Sequence, residues 1–228
     1  MPDQMTKSVD AEGSATERIC AVVVNYQTPD LLDDAVRSFK RFYPDVEMII
    51  VDNGSADDSR EVIEDLVAEH SHLHAEYFDS NRGHGPAMHH AVGLTDRPFI
   101  FFLDSDTVTE RGGFLEEMIG FFDEEKVYGV GKRRPFNRRG FEDQEGSPML
   151  IAAHMLLRRS IYLSLPPFIH HGAPVVENFT VAAERGYRLI DYQIEDAVRH
   201  LHRGTVNRFG YGLGLKGRIN YLLNKLGL

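Results

Sequence analysis

The sequence predicts an α/β fold, with a mostly parallel central sheet flanked by helices in a single domain. Three observations carry that prediction. The first half repeats one unit, a short β-branched apolar run, a polar turn and an amphipathic helical stretch, and this alternation builds parallel sheets covered by helices. The run Phe99-Ile100-Phe101-Phe102-Leu103 is apolar throughout and too short for most helices, which marks a strand buried on both faces. A length of 228 residues suits one such domain with a sizeable core.

Each element can be justified in turn. Ile19-Cys20-Ala21-Val22-Val23-Val24 reads as the first strand. Pro29 and Asp30 open a helix in which Leu31, Leu32, Ala35, Val36 and Phe39 recur at helical spacing. Met48-Ile49-Ile50-Val51 is the second strand, and the turn Asp52-Asn53-Gly54-Ser55 leads into a helix carrying Val62, Ile63, Leu66 and Val67. Leu73 to Phe78 supplies a further short strand, Asn81 to Leu94 a loop and helix, and residues 99–103 the central strand. The second half is less regular. Lys132 to Ser147 is charged, contains glycine and is poor in aliphatics, so a loop over the site is expected. Met149 to Leu157 reads as another strand, and Pro174 to Arg185 as a helix stopped by Gly186.

These readings divide the chain into a leader at 1–17, a body at 18–207 with halves at 18–107 and 108–207, and a tail at 208–228. The leader is polar and lacks periodicity, the mark of a flexible segment. In the tail, Leu213, Leu215, Ile219 and Leu222 stand among Lys216, Arg218 and Lys225. Such a basic amphipathic segment suits peripheral membrane contact or a homodimer interface. A net charge of −10 argues against a nucleic-acid-binding surface, which gains affinity through Lys and Arg. The single cysteine, Cys20, can form neither an internal disulfide nor a multi-cysteine zinc site, and this fits a reducing cytoplasm. No apolar stretch approaches the roughly 20 residues that span a bilayer, and residues 1–18 lack the basic start and apolar centre of a secretory signal.

Asp104-Ser105-Asp106 follows the central strand directly, which places both carboxylates at the carboxyl edge of the sheet, where open α/β sheets bind ligands. Hard cations such as Mn²⁺ and Mg²⁺ take carboxylate oxygens together with waters and substrate phosphates. Alone, such a triplet is equally an ordinary solvated turn. Its context distinguishes it, because four landmarks come in one order: Val23-Val24-Asn25-Tyr26, then Val51-Asp52-Asn53-Gly54-Ser55, then Asn81-Arg82-Gly83 with Gly85 and Ala87, then the acidic triplet.

This ordered set resembles the family 2-type glycosyltransferases of the GT-A fold, well over residues 19–107 and loosely beyond. The resemblance implies an inverting, hexosyltransferase-type enzyme that uses a nucleotide-diphosphate sugar, with a UDP-sugar as the default donor. By that resemblance Val24, Asn25 and Tyr26 border the nucleotide and Asp52 hydrogen-bonds the base. Asn81, Arg82 and Gly83 lie against the nucleotide and donor sugar, and Arg82 contacts the diphosphate. Asp104 and Ser105 complete the donor site, and Asp104 and Asp106 hold the metal. A late histidine is also implied as a metal ligand; in His200-Leu201-His202-Arg203-Gly204, His202 is preferred to His200. Single displacement requires a carboxylate base for a hydroxyl acceptor such as a glycan or lipid-linked sugar. Relatives carry an acidic pair before a helix ending in Gly and an aromatic. Here Gly186-Tyr187-Arg188 matches that end, the pair is missing, and Glu177 is the base candidate, with Asp191, Glu195 and Asp196 as alternatives. His84, His89 and His90 receive no role. Two other readings stand beside this one. A nucleotidyltransferase or sugar-nucleotide pyrophosphorylase is opposed by Asn25-Tyr26-Gln27-Thr28-Pro29, which lacks a Gly-rich basic loop. A catalytically silent nucleotide- or glycan-binding module draws its support from the missing acidic pair.

Overall fold

The computed structural model describes residues 15–137, 142–169 and 174–202. The leader up to residue 14, the His170-His171 pair and the 208–228 tail lie outside the described residues.

The first half builds a parallel core. Strand β1 (Ile19–Asn25) leads to α1 (Pro29–Phe42), β2 (Glu47–Asp52), α2 (Ser59–Glu69), β3 (Leu73–Tyr77), α3 (His84–Val92) and β4 (Phe99–Asp104). β1 pairs in parallel with both β2 and β4, and β2 with β3. The continuous apolar runs are explained by burial on both faces, since successive strand residues point to opposite sides. Ile19, Ala21, Val23, Met48, Ile50, Phe99, Phe101 and Leu103 enter one core with α1 and α2. The intervening Cys20, Val22, Val24, Ile49, Val51, Ile100 and Phe102 enter the other, closed by Ala87, Met88, Ala91 and Val92 of α3. Cys20 is fully buried, and burial pushes its thiol well above the ordinary range.

Next come β5 (Thr107–Thr109), α4 (Phe114–Gly120), β6 (Val127–Phe136), β7 (Ser147–Arg158), α5 (Arg159–Tyr162), α6 (Val176–Glu184), β8 (Arg188–Asp191) and β9 (Val198–His200). The main sheet runs β3-β2-β1-β4-β7-β6-β8, with β7 antiparallel to both neighbours and β6 parallel to β8. A separate ribbon joins β5 to β9.

The expected loop at 132–147 is a correction: Lys132 to Phe136 continue β6, Ser147 begins β7, and the two strands pair from Gly129 against Leu157 to Phe136 against Ser147. Charge hid this strand, because on the β6 side Lys132 to Phe136 are partly or fully exposed, while their β7 partners Met149 and Leu150 stay buried. α6 ends close to the expected place, with Gly186 at φ 75° beyond its end.

Candidate active site

Three strand ends meet at the carboxyl edge of the parallel core, and a chain of buried hydrogen bonds locks them together. Asn25, at the end of β1, is fully buried and donates from Nδ2 to Asp52 Oδ1 at 3.0 Å and to Ser55 Oγ at 3.3 Å. Its Oδ1 accepts from Thr28 Oγ1 at 3.0 Å, and Thr28 Oγ1 lies 3.2 Å from Ser105 Oγ in the acidic turn. The Asp52 carboxylate also accepts from Ser55, from Oγ at 2.6 Å and from backbone N–H at 3.0 Å. Asp52 therefore fixes its own turn, which leaves Oδ2 with spare acceptor capacity. The side chain of Asn25 is engaged in shaping the turn around it. Val24 is buried beneath the site, and Tyr26 is half-buried at its rim.

The 81–83 loop is tied to the same edge. Asn53 Nδ2 donates to Asn81 Oδ1 at 3.1 Å, Arg82 N–H donates to Asn53 Oδ1 at 2.9 Å, and Gly83 N–H donates to Asn81 Oδ1 at 2.9 Å. Gly54, at φ 77°, makes this docking possible: a Cβ there would lie 2.5 Å from the Ser80 carbonyl carbon. The exposed guanidinium of Arg82 lies over the Phe78 ring at 4.0 Å, beside a cleft of about 370 Å³ lined by Pro86, His89, His90 and Leu163.

Asp104 ends β4, and Ser105-Asp106 turn the chain into β5. The β5–β9 ribbon pairs Thr107 with His200, and Leu201 N–H donates to Asp106 C=O at 2.8 Å. That pairing sets His200 Nε2 3.0 Å from Asp106 Oδ1 and 4.0 Å from Asp104 Oδ2. Ligand atoms of Asp104, Asp106 and His200 all lie within 4.8 Å of one another. Two carboxylates and one imidazole at this spacing fit a divalent cation, with positions left for water and phosphate oxygens. His202, the histidine preferred from sequence, stands next to this group: its ring centroid is 4.2 Å from that of His200, and its φ of 56° marks where the chain turns out of β9. Ribbon register, invisible in a single sequence, sets His200 beside both carboxylates.

Electrostatics follow from this packing. Burial disfavours a charge on His200, yet the Asp106 hydrogen bond and the charges of Asp106 and Asp104 outweigh it and raise the pKa above the ordinary value. His154 faces Leu103 across the β4–β7 pairing, is almost fully buried, and has its pKa lowered mainly by that burial. Its Nδ1 has no hydrogen-bond partner among the described residues, and its ring meets that of His200 edge-on at 6.3 Å. His84, given no role from sequence, has Nε2 3.5 Å from Asp104 Oδ1. Strand pairing across 94 residues brings His200 to Asp106, and pairing across 51 residues sets His154 opposite Leu103.

The base candidates lie in the other half. Glu177 is exposed in the first turn of α6, next to buried Asn178, which accepts from the Tyr128 hydroxyl at 2.6 Å. Asp191 accepts from Arg133 N–H at 2.8 Å, and Glu195 pairs with Lys132 Nζ at 2.8 Å. Asp196 is exposed in the 3₁₀ turn before β9. The charges of Glu195, Asp104 and His200 all act on His154.

Comparison with known proteins gives a family and a fold. The family model described as Glycosyl transferase family 2 matches residues 20–178. An uncharacterized glycosyltransferase of Nostoc sp. is 30% identical over 114 residues, which is 50% of this chain and 35% of that protein. The solved mannosyltransferase PcManGT of Pyrobaculum calidifontis, in complex with GDP-Man and Mn²⁺, superposes with a TM-score of 0.64 at 16% identity over 77% of this chain and 54% of its own. S. aureus TarS 1-349 in complex with UDP-GlcNAc gives a TM-score of 0.56 at 16% identity over 76% and 55%. The chain thus spans about a third of that curated relative and little more than half of each solved chain.

Proposed function

The chain belongs to glycosyl transferase family 2, and on that footing we propose that it moves a sugar from a nucleotide-diphosphate donor to a hydroxyl acceptor with inversion. One observation carries the reading: the Asp104, Asp106 and His200 group and the Asn25–Asp52 turn occupy a single sheet edge, joined through Thr28 and Ser105. The nucleotide lies against Val24, Asn25, Tyr26 and Asp52, with the free capacity of Asp52 Oδ2 accepting from the base. Asn81, Arg82 and Gly83 border the diphosphate and donor sugar. Mn²⁺ or Mg²⁺ held by Asp104, Asp106 and His200, with His202 behind, would offset charge on the departing diphosphate. The acceptor oxygen attacks the anomeric carbon as its bond to the diphosphate oxygen breaks, and a carboxylate takes the hydroxyl proton.

Glu177 is the assigned base. Glu195, paired with Lys132 at 2.8 Å just before β9, is a second reading. UDP is the default nucleotide, and a glycan or lipid-linked sugar the acceptor class. Among the described residues no helix is long and apolar enough to cross a membrane. Membrane contact or dimerisation through 208–228 is therefore a separate proposal, abandoned if removing 211–228 changes neither liposome binding nor mass in solution.

The test is thermal shift with UDP, GDP, TDP and CDP, each with and without Mn²⁺, on the wild type and Asp106→Ala. At about 100 times Kd a ligand stabilises the native state by about 2.7 kcal/mol, which is roughly 5 to 10 °C for a chain of this size. One nucleotide should give that shift only with Mn²⁺ and only in the wild type. No shift from any of the four at saturation would sink the donor-site reading. Metal-dependent nucleotide binding without transfer or donor hydrolysis across a broad panel would favour a silent binding module.

A further inference from the structure

His84 opens α3 and sits beside the acidic group without belonging to it. Two features of the fold bring it there. Ile100 and Phe102 of β4 pack in the core that α3 closes, and the two-residue period carries Asp104 to that same side. The loop leading into α3 is fixed by the Asn53–Asn81 bonds, and Gly83 at φ 100° delivers His84 as the first helical residue. The outcome is a carboxylate flanked on both oxygens: Asp104 Oδ1 lies 3.5 Å from His84 Nε2, and Asp104 Oδ2 lies 4.0 Å from His200 Nε2. The ligand group closes through His200, whose Nε2 is paired with Asp104 Oδ2, while His84 is paired with Oδ1.

We propose that His84 is a positioning residue for the cation site, holding Asp104 Oδ1 so that Oδ2 is the oxygen offered to the metal. The inference rests on the cation-binding part of the proposed function. Its physical basis is the freedom of a carboxylate about its last torsion, which is broad and two-fold. An N–H held against one oxygen removes that freedom before the cation arrives. At 3.5 Å the contact is loose, and contacts of this length in unliganded sites commonly tighten when the site is loaded. Outer partners that orient metal ligands typically change metal affinity by about 10- to 100-fold. The side chains of His84 and Asp104 remain 34% and 28% exposed, which places the expected effect at the lower end, about tenfold.

The experiment titrates Mn²⁺ alone, with no nucleotide, and follows free Mn²⁺ by electron paramagnetic resonance. It compares the wild type, His84→Phe, His84→Gln and Asp106→Ala, and records the metal-free melting temperature of each. His84→Phe keeps the ring and removes the N–H; it should weaken Mn²⁺ about tenfold while its metal-free melting temperature stays at the wild-type value. His84→Gln restores an N–H donor and should recover most of that loss. If the wild type binds Mn²⁺ and Asp106→Ala does not, while His84→Phe binds within twofold of the wild type, the positioning role is wrong and the cation site stands. If His84→Gln is as weak as His84→Phe, the N–H is not the cause and the inference fails in the same way. A wild type that takes up no Mn²⁺ overturns both.

Discussion

The two halves of the sheet edge are built on opposite principles. In the first, Asn25, Asp52 and Asn53 are buried and bonded to one another and to adjacent turns. In the second, Lys132 pairs with exposed Glu195, and exposed Asp191 accepts from Arg133 N–H. Buried polar groups must be satisfied, so their partners are strongly specified. Exposed charges can be rearranged at little cost. The first half is thus fixed by its own buried bonds, while the second is a frame whose charged groups can be exchanged. Under the proposed function, that contrast fits a shaped donor half and an exchangeable acceptor half.

The largest expected effect breaks the donor half outright. Asp106→Ala removes one of the three candidate cation ligands, and steady-state assays should find kcat/KM reduced about a thousandfold or more, several kcal/mol. The next effect sharpens the contrast, because removing the base should spare donor binding. Exactly one of Glu177→Gln and Glu195→Gln should lower kcat by about a hundredfold with the nucleotide-induced melting shift intact. If neither does, Asp191 and Asp196 become the candidates.

Third, Gly54→Ala puts a Cβ onto the Ser80 backbone at a positive φ, and chemical denaturation should show a loss of about 3 kcal/mol. A fourth test uses pH. His200 is held above its ordinary pKa in the folded chain. Its contribution to metal-free stability is therefore complete below the unfolded value, about 6.5, and is lost as pH rises through the folded value. Mn²⁺ affinity should slope the other way, weakening as pH falls, because the cation has to displace the proton from the imidazole. Asp106→Asn should flatten the stability slope. The smallest effect belongs to the acceptor half: Lys132→Ala should change stability by less than about 1 kcal/mol, and a larger loss would show that its pairing with Glu195 is structural.

The same contrast explains what could be read from the sequence. β1, β2 and β4 were visible because burial on both faces requires uninterrupted apolar runs, and Asp52, Asp104 and Asp106 because they follow those runs directly. β6 was missed where Lys132 to Phe136 leave the core, since an exposed strand carries no apolar signature. Placing His200 beside the acids and His154 behind them requires the registers of β5 with β9 and β4 with β7, and placing His84 requires the docking of the 81–83 loop against Asn53. A lone histidine gives no sign of which strand it will face.

The β5–β9 ribbon has a consequence for synthesis. Its two strands join Asp106 to His200 across 94 residues, so a ribosome adding roughly 5 to 20 residues per second has shaped the nucleotide half well before the last imidazole emerges. Under the proposed function, metal capture would be a late event, and a nascent chain stalled before β9 would carry a formed Asn25–Asp52 edge without the third cation ligand. Ion affinity would then report that the chain has closed on itself.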